Sequence, residues 1–227
     1  MCISSVPKSI DRYKARLVAR GFTQVPGLDF DETFSPVVSY TALRLLLALA
    51  IQNSFFVHQM DVMTAFLNGE VDVELYMELP DGFERSGKAN DNMVAKLNKG
   101  LYGLKQAGRL WNITLHNFLI AKGFKQLPSE PCLYLQKYEQ KLVILAIYVD
   151  DIKLITNCME QMEKTKKMLK NQFKMTDLGP IHHIVGLRVV QAKESVSIDQ
   201  KHYLKKLLSK FQMEDCNTAP TPDTFPA

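Results

Sequence analysis

The sequence predicts an α+β fold, on three observations. Four segments read as helices: 41–53, 107–122, 158–172 and 200–211. Short runs of alternating or continuous apolar residues, bounded by Gly, Pro and polar clusters, read as strands. One of them, Leu142–Thr156 (LVILAIYVDDIKLIT), is an apolar stretch broken by two adjacent aspartates. A chain of 227 residues suffices for one large domain or two small subdomains sharing a core.

Residues 13–20 (YKARLVAR) alternate basic and apolar side chains, the pattern of a strand with one wet face. Residues 21–38, with Gly21, Pro26, Gly27 and Pro36, read as a long loop. Residues 41–53 (TALRLLLALAIQN) read as a buried helix that Ser39 or Thr41 caps. Val57–Met60 forms a short strand ending at Asp61. Residues 71–79 (VDVELYMEL) alternate strictly, acid out and apolar in. Pro80, Gly82 and Gly87 make 80–92 a surface loop, and a short strand follows at 93–97. The helix over 107–122 stops at Gly123, where a left-handed residue is favoured. Strands are expected at 132–137, 142–149 and 152–156. A helix with a lysine-rich outer face spans 158–172. Two further strands near 184–190 and 195–199, joined by a polar turn at 191–194, precede the last basic helix. From Asp215 onward the Pro-rich run to residue 227 reads as a disordered tail.

Hydrophobic residues make up 46% and charged residues 23%, an ordinary globular balance. No run approaches the roughly 18 apolar residues of a membrane span, and residues 1–5 lack a signal-peptide layout. An intracellular location is expected. Cys2, Cys132, Cys158 and Cys216 are scattered without a C-x-x-C pair, which argues against a disulfide framework and a zinc knuckle. Residues 1–20 carry five basic side chains and one acid, whereas residues 21–90 carry three and ten. Carboxylates concentrated between basic ends suit a protein that holds cations at one place and meets polyanions elsewhere, although a mixed surface accounts for the charge alone.

The adjacent Asp150 and Asp151 are the sharpest local feature. Two carboxylates repel each other, and setting them in an apolar run costs a few kcal/mol unless a partner compensates. Tight turns accept Asp, but the two-residue hairpin loop prefers Asn-Gly or Asp-Gly. Hard oxygen donors at a hairpin tip also suit Mg²⁺. These residues alone leave turn and metal site about even. Asp61, closing a second short apolar strand, is the complement. Brought beside the Asp150–Asp151 pair, it would allow a two-metal site.

Taken in order, the segments resemble the copia-type reverse transcriptase family over about Ser9–Pro222. The matching blocks are YKARLVARGFTQ from Tyr13, DETFSPVV from Asp31, HQMDV from His58 and AFLNG from Ala65. LYGLKQA from Leu101, YVDD from Tyr148, and DLG from Asp177 with Gly186 complete them. The resemblance implies a right-hand polymerase fold of fingers and palm, the palm a small antiparallel sheet with an Asp-Asp hairpin, backed by helices. It implies an RNA-directed DNA polymerase of a Pol polyprotein that adds dNTPs to a primer 3′-hydroxyl. Two Mg²⁺ ions, or Mn²⁺ in their place, would be held by Asp61, Asp150 and Asp151 with the Val62 carbonyl. The implied partners are an RNA or DNA template with its primer, and the ribonuclease H and integrase of the polyprotein. The implied setting is a cytoplasmic virus-like particle with a nuclear phase open to it.

Further residues carry over by position. Phe66 matches an aromatic steric gate against a 2′-hydroxyl. Gln106 matches a glutamine near the incoming nucleotide, its alternative being a helix-terminal side chain facing water. Lys14 and Arg16 fall where cations meet the triphosphate. Tyr148 falls beside the primer end, and Lys105 and Arg109 at phosphate backbone. Trp111 reads as a core anchor, and the lysines at 164, 166, 167, 170 and 174 as a solvated face. His182–His183, without nearby acid or cysteine spacing, reads as a polar strand edge. Met63 stands where the family usually has Lys, and Gly108 where it usually has Pro. Residues 1–8 match nothing in the family, which carries another fingers strand there. The expected organisation is an atypical extension at 1–8, fingers and palm with little thumb at 9–214, and a tail at 215–227. The competing expectation is a truncated, inactive relic that only binds nucleic acid.

Overall fold

The computed structural model describes residues 13, 15–80, 93–184, 186–191 and 195–217. The chain divides into two units: residues 1–36 with 64–124, and residues 37–63 with 125–227.

The second unit is built on a six-stranded sheet. Its strands are β1 (Phe56–Val62), β4 (Lys125–Leu127), β5 (Glu130–Tyr138), β6 (Lys141–Tyr148), β7 (Asp151–Thr156) and β8 (Met175–Pro180). They lie in the order β4-β5-β6-β7-β1-β8, every neighbouring pair antiparallel. The apolar runs of β6 and β7 are buried almost throughout, as central strands covered on both faces must be. Helix α1 (Tyr40–Gln52) buries Leu43, Leu46, Leu47 and Ala50, the i, i+3, i+4, i+7 stripe of a packed helix. Ser39 caps it, its Oγ accepting from the Ala42 N–H at 3.2 Å. Helix α3 (Met159–Gln172) lays Met162, Thr165, Lys166 and Leu169 against the sheet. A smaller sheet of β9 (His183–Ile184), β10 (Leu187–Gln191) and β11 (Val196–Asp199) precedes α4 (Lys201–Lys210), none of whose residues is buried.

The first unit pairs β2 (Glu70–Glu78) with β3 (Val94–Lys99) and packs helix α2 (Ala107–Ala121) through Leu110, Trp111, Leu115 and Leu119. Trp111 is a core anchor, 2% exposed. Gly123 ends α2 at φ +83°, and the Phe124 N–H reaches back to the Leu119 carbonyl at 3.0 Å.

Two expectations are corrected. The described part of 13–20 forms no strand: its Ala19 N–H bonds the Tyr102 carbonyl at 2.7 Å, and no ladder partner lies alongside it among the described residues. Alternation provides a wet and a dry side, but a strand also needs a neighbour to pair with. The lysine-rich face of α3 is not wholly solvated either, since Lys166 is only 4% exposed. Strands β4, β8 and β9 had no clear alternation to announce them. Much of the expected loop at 80–92 and most of the expected tail lie outside the described residues.

Candidate active site

The pairing of three strands in the second unit brings the backbone positions of Asp61, Asp150 and Asp151 side by side. Asp61 of β1 is the register partner of Asp151 of β7, and Asp151 is in turn the partner of Tyr148 of β6. Residues directly opposite in an antiparallel sheet point to the same face. Asp61, Asp151 and Tyr148 therefore share one face, at the end of the sheet where β6 turns into β7. Asp150 lies in that turn, and its carbonyl accepts the Val62 N–H at 2.8 Å, which ties the turn to the end of β1.

The turn itself is Val149-Asp150, so that Asp151 already belongs to β7. Val149 stands at φ +56°. A β-branched residue is a genuine outlier in the left-handed region, and such a conformation costs of order 1–3 kcal/mol. Gly or Asn would fit this position without strain. The surrounding ladder, with Ile147 opposite Ile152 and Tyr148 opposite Asp151, holds the turn in place. Strain of this kind clusters at functional sites.

Asp151 is also paired with a residue that the motif comparison passed over. Alternation along a strand puts residues i and i+2 on one face, so Lys153 projects from the same face as Asp151. Its ammonium donates to both carboxylate oxygens, at 2.6 Å to Oδ1 and 2.5 Å to Oδ2. The Lys153 side chain is 3% exposed and that of Asp151 20%. Burial pushes the Asp151 carboxyl above its ordinary value, against the pull of Lys153 and a hydrogen bond from Gln59. Burial also pulls the Lys153 ammonium down, against the charges of Asp151 and Asp61. Both directions have one physical cause, the desolvation of charge. The signal for Lys153 was present in the sequence: a lysine two residues beyond Asp151 in an otherwise apolar run has nowhere else to put its charge.

On the opposite face of the sheet, His58 of β1 meets α3. The Lys166 ammonium lies 2.7 Å from His58 Nδ1, 3.1 Å from Asp177 and 3.7 Å from Glu163. Asp177 also accepts the Gly179 N–H at 2.9 Å and pairs with Lys170 at 3.5 Å. Burial pushes the Asp177 carboxyl up, but the Gly179 N–H and the two lysines outweigh it and hold the group below its ordinary value. The DLG block thus anchors β8. Its bulge, which puts Gln59 opposite Gly179 and Met60 opposite Asp177, lies next to the end of β1 that carries Asp61.

The remaining sequence-selected residues belong to the first unit. Gln106 is 1% exposed, which overturns the alternative of a side chain facing water. Its amide N–H donates to the Asp29 carbonyl at 2.8 Å, and its Oε1 accepts from Gln24 at 3.0 Å. Gln24 in turn accepts the Lys105 N–H at 2.8 Å, so two glutamines bind the 24–29 loop to the start of α2. Phe66 lies in a single 3₁₀ turn (Ala65–Asn68) and meets the Tyr102 ring at a centroid distance of 4.8 Å. The Arg16 guanidinium sits over the same Tyr102 ring at 5.7 Å, and the Lys105 ammonium over Phe30 at 5.8 Å. Arg109 pairs with Asp72 at 3.1 Å and Glu32 at 3.4 Å. Lys14 lies outside the described residues. His183, in β9, is exposed.

A family model described as reverse transcriptase (RNA-dependent DNA polymerase) matches residues 6–224. The chain belongs to this family. The retrovirus-related Pol polyprotein from transposon TNT 1-94 of Nicotiana tabacum is 42% identical over 93% of this chain, which covers 16% of that protein. The corresponding polyproteins from transposons RE1 and RE2 of Arabidopsis thaliana are 37% and 35% identical over 94% of the chain, which covers 14% and 15% of them. The chain thus spans about a seventh of the length of these curated relatives, and its resemblance to the copia-type branch of the reverse transcriptases is borne out. Among solved structures, an apo telomerase from Candida tropicalis, truncated from its C-terminal domain, aligns at TM-score 0.40 and 13% identity. That alignment covers 73% of this chain and 41% of the telomerase, and no part of the assignment rests on it.

Proposed function

We propose that this reverse transcriptase domain extends a nucleic-acid primer with deoxynucleotides on an RNA or DNA template, and that Asp61, Asp150 and Asp151 form its catalytic face. The observation that carries the reading is the register of three strands, Tyr148 and Asp61 both opposite Asp151, with Asp150 in the turn beside them. The six-stranded antiparallel sheet with α3 on its far face serves as the palm of a right-hand polymerase. The first unit, by the same reading, supplies the fingers.

The donor chemistry suits a divalent metal. Asp61 and Asp150 offer hard carboxylate oxygens at adjoining positions, and the Val62 carbonyl adds a further one. Among the described residues no three His, Cys, Asp or Glu side chains are gathered closely enough to hold an ion, so ligation would rest on Asp61 and Asp150 with the Val62 carbonyl. When bound, two Mg²⁺ ions, or Mn²⁺, supply charge that acidifies the primer hydroxyl and neutralises the pyrophosphate leaving group. The chain's own part is to keep Asp61 and Asp150 fixed in place. The tie from Val62 to Asp150 and the strained Val149 turn do this without moving parts. Tyr148, on the same face, is placed to border the primer end.

By correspondence with the family, Phe66, Gln106, Lys14 and Arg16 are assigned to the incoming nucleotide, and Lys105 and Arg109 to the phosphate backbone. The burial of Gln106 and the acid pairs of Arg109 make these two positioning groups in the form described here. Ribonuclease H and integrase segments of a polyprotein are the expected partners in the same pathway of DNA synthesis.

The test is primer extension on a homopolymer RNA template with Mg²⁺ or Mn²⁺, comparing the parent with Asp150→Asn/Asp151→Asn. Extension by the parent alone is the expected outcome. Equal extension by both would overturn the assignment of the carboxylates. A second reading, a domain that folds and binds nucleic acid without synthesis, is favoured by one observation, the Lys153 ammonium seated on Asp151. Salt-sensitive binding without extension, from folded protein, would select it.

A further inference from the structure

A lysine in the middle of a central strand is costly. Ammonium groups are almost never fully buried unless paired, and the desolvation of such a charge is worth several kcal/mol. Lys153 meets this cost chiefly at one carboxylate, Asp151, with the charge of Asp61 adding to it. It lies at the centre of the six-stranded sheet, opposite Ala146 on β6 and Gln59 on β1. Neither neighbour bears charge, and its ammonium turns along the strand to close on both oxygens of Asp151. A bidentate contact at 2.5–2.6 Å uses the faces that a metal ion would need.

From this we infer that Lys153 acts as a built-in cation of the carboxylate cluster. It holds Asp151 in place of a divalent ion, so the chain takes up metal through Asp61 and Asp150 with lowered affinity. The inference rests on the reading of Asp61, Asp150 and Asp151 as a metal-dependent site. Its content is additional, for it assigns a role to a residue that no motif block contains. With Asp61, Asp151 and Lys153 on one face and Asp150 in the adjoining turn, the cluster carries one negative charge fewer than its carboxylates alone would give. A divalent ion approaching it also meets the ammonium as a like charge. Lys153 is therefore a positioning residue: it acts through Asp151 and sets how much metal the site demands.

The test is Mn²⁺ binding, followed by electron paramagnetic resonance of the free ion, and stabilisation against heat by Mg²⁺. Both are read without template or nucleotide. Lys153→Gln removes the charge and keeps a donor for Asp151, so that the carboxylate is not left bare. The variant is expected to bind Mn²⁺ about tenfold more tightly or better, and to gain more in Tm from Mg²⁺ than the parent does. Should the variant unfold without metal, recovery of its fold in excess Mg²⁺ would also bear the inference out, because the ion would then replace the ammonium. A variant that stays unfolded in excess Mg²⁺ overturns it. So does a folded variant with the parent's affinity. Asp61→Asn/Asp150→Asn in the parent separates the two levels. If that variant loses Mn²⁺ while Lys153→Gln binds like the parent, the metal site stands and the role of Lys153 falls. If it binds Mn²⁺ unaltered, or if no form binds the ion, the carboxylate reading itself fails and takes the inference with it.

Discussion

The two faces of the six-stranded sheet each bury a lysine, and they do so in different ways. On one face Lys153 is seated on Asp151 and occupies both of its oxygens. On the other, Lys166 is shared among His58, Asp177 and Glu163, and Asp177 has Lys170 and the Gly179 N–H besides. The first arrangement has little redundancy. Loss of Lys153 leaves Asp151 with the Gln59 hydrogen bond alone, and loss of Asp151 leaves Lys153 with the more distant charge of Asp61. The second is a network in which Lys166 and Asp177 each have several partners, which suits a structural joint between α3, β1 and β8. The difference shows why a buried ion pair by itself says little about function. What distinguishes the Lys153 pair is its place in the register, at the start of β7 directly after the turn that carries Asp150.

The contrast is broken most directly by truncating each lysine. Lys153→Ala leaves the Asp151 carboxylate buried and without its ammonium, and is expected to cost about 3–5 kcal/mol in urea-unfolding free energy without metal. Lys166→Ala should cost less, about 1–3 kcal/mol, because Asp177 retains Lys170 and a backbone N–H. Equal losses at the two sites would show that redundancy does not protect the second face.

Acidity sharpens the contrast further. Burial, aided by the Lys166 charge, holds the His58 imidazole below its ordinary value of 6.5. In the window just below that value the unfolded chain binds a proton that the folded chain refuses. The His58 contribution is therefore fully present above pH 6.5 and is lost as the pH falls below it towards the folded value. Asp177 works in the same direction at lower pH, its contribution disappearing as the pH falls through its depressed folded value. Urea midpoints of the parent should drop between neutral and mildly acidic pH, and His58→Gln should flatten that drop. An unchanged slope in the variant would remove His58 as the cause. The smallest effect is expected at Gly179, which has φ +71° and open space where a Cβ would stand. Gly179→Ala should cost about 1–2 kcal/mol from backbone strain alone, read as a small shift in Tm, with the Asp177 network kept.

Much of the second unit was legible in the sequence because its central strands are short, apolar and bounded by turn residues. The hairpin around Asp150 and Asp151 could be placed to within a residue. The helices at 41–53, 107–122 and 158–172 were likewise placed to within a residue or two by their periodicity and caps. Less legible were the short strands β4, β8 and β9, whose two to six residues carry no clean alternation and exist because a neighbour pairs with them. The reverse held at 13–20, where alternation was present but no ladder partner stands among the described residues. At the candidate site the motif blocks picked out the aspartates, and their very sharpness drew attention away from Lys153.

By itself the sequence determined the family, the identity of the three aspartates and the apolar strands that bear them. All of these are written in local order and spacing. Only the tertiary structure decided that Asp61 stands opposite Asp151, that the turn is Val149-Asp150, and that Lys166 and Gln106 are buried rather than wet. It alone seated the Lys153 ammonium on Asp151. The physical reason is that register and desolvation belong to pairs of distant segments. A strand carries its own alternation, but its partner, and the water the partner removes, come from elsewhere in the chain.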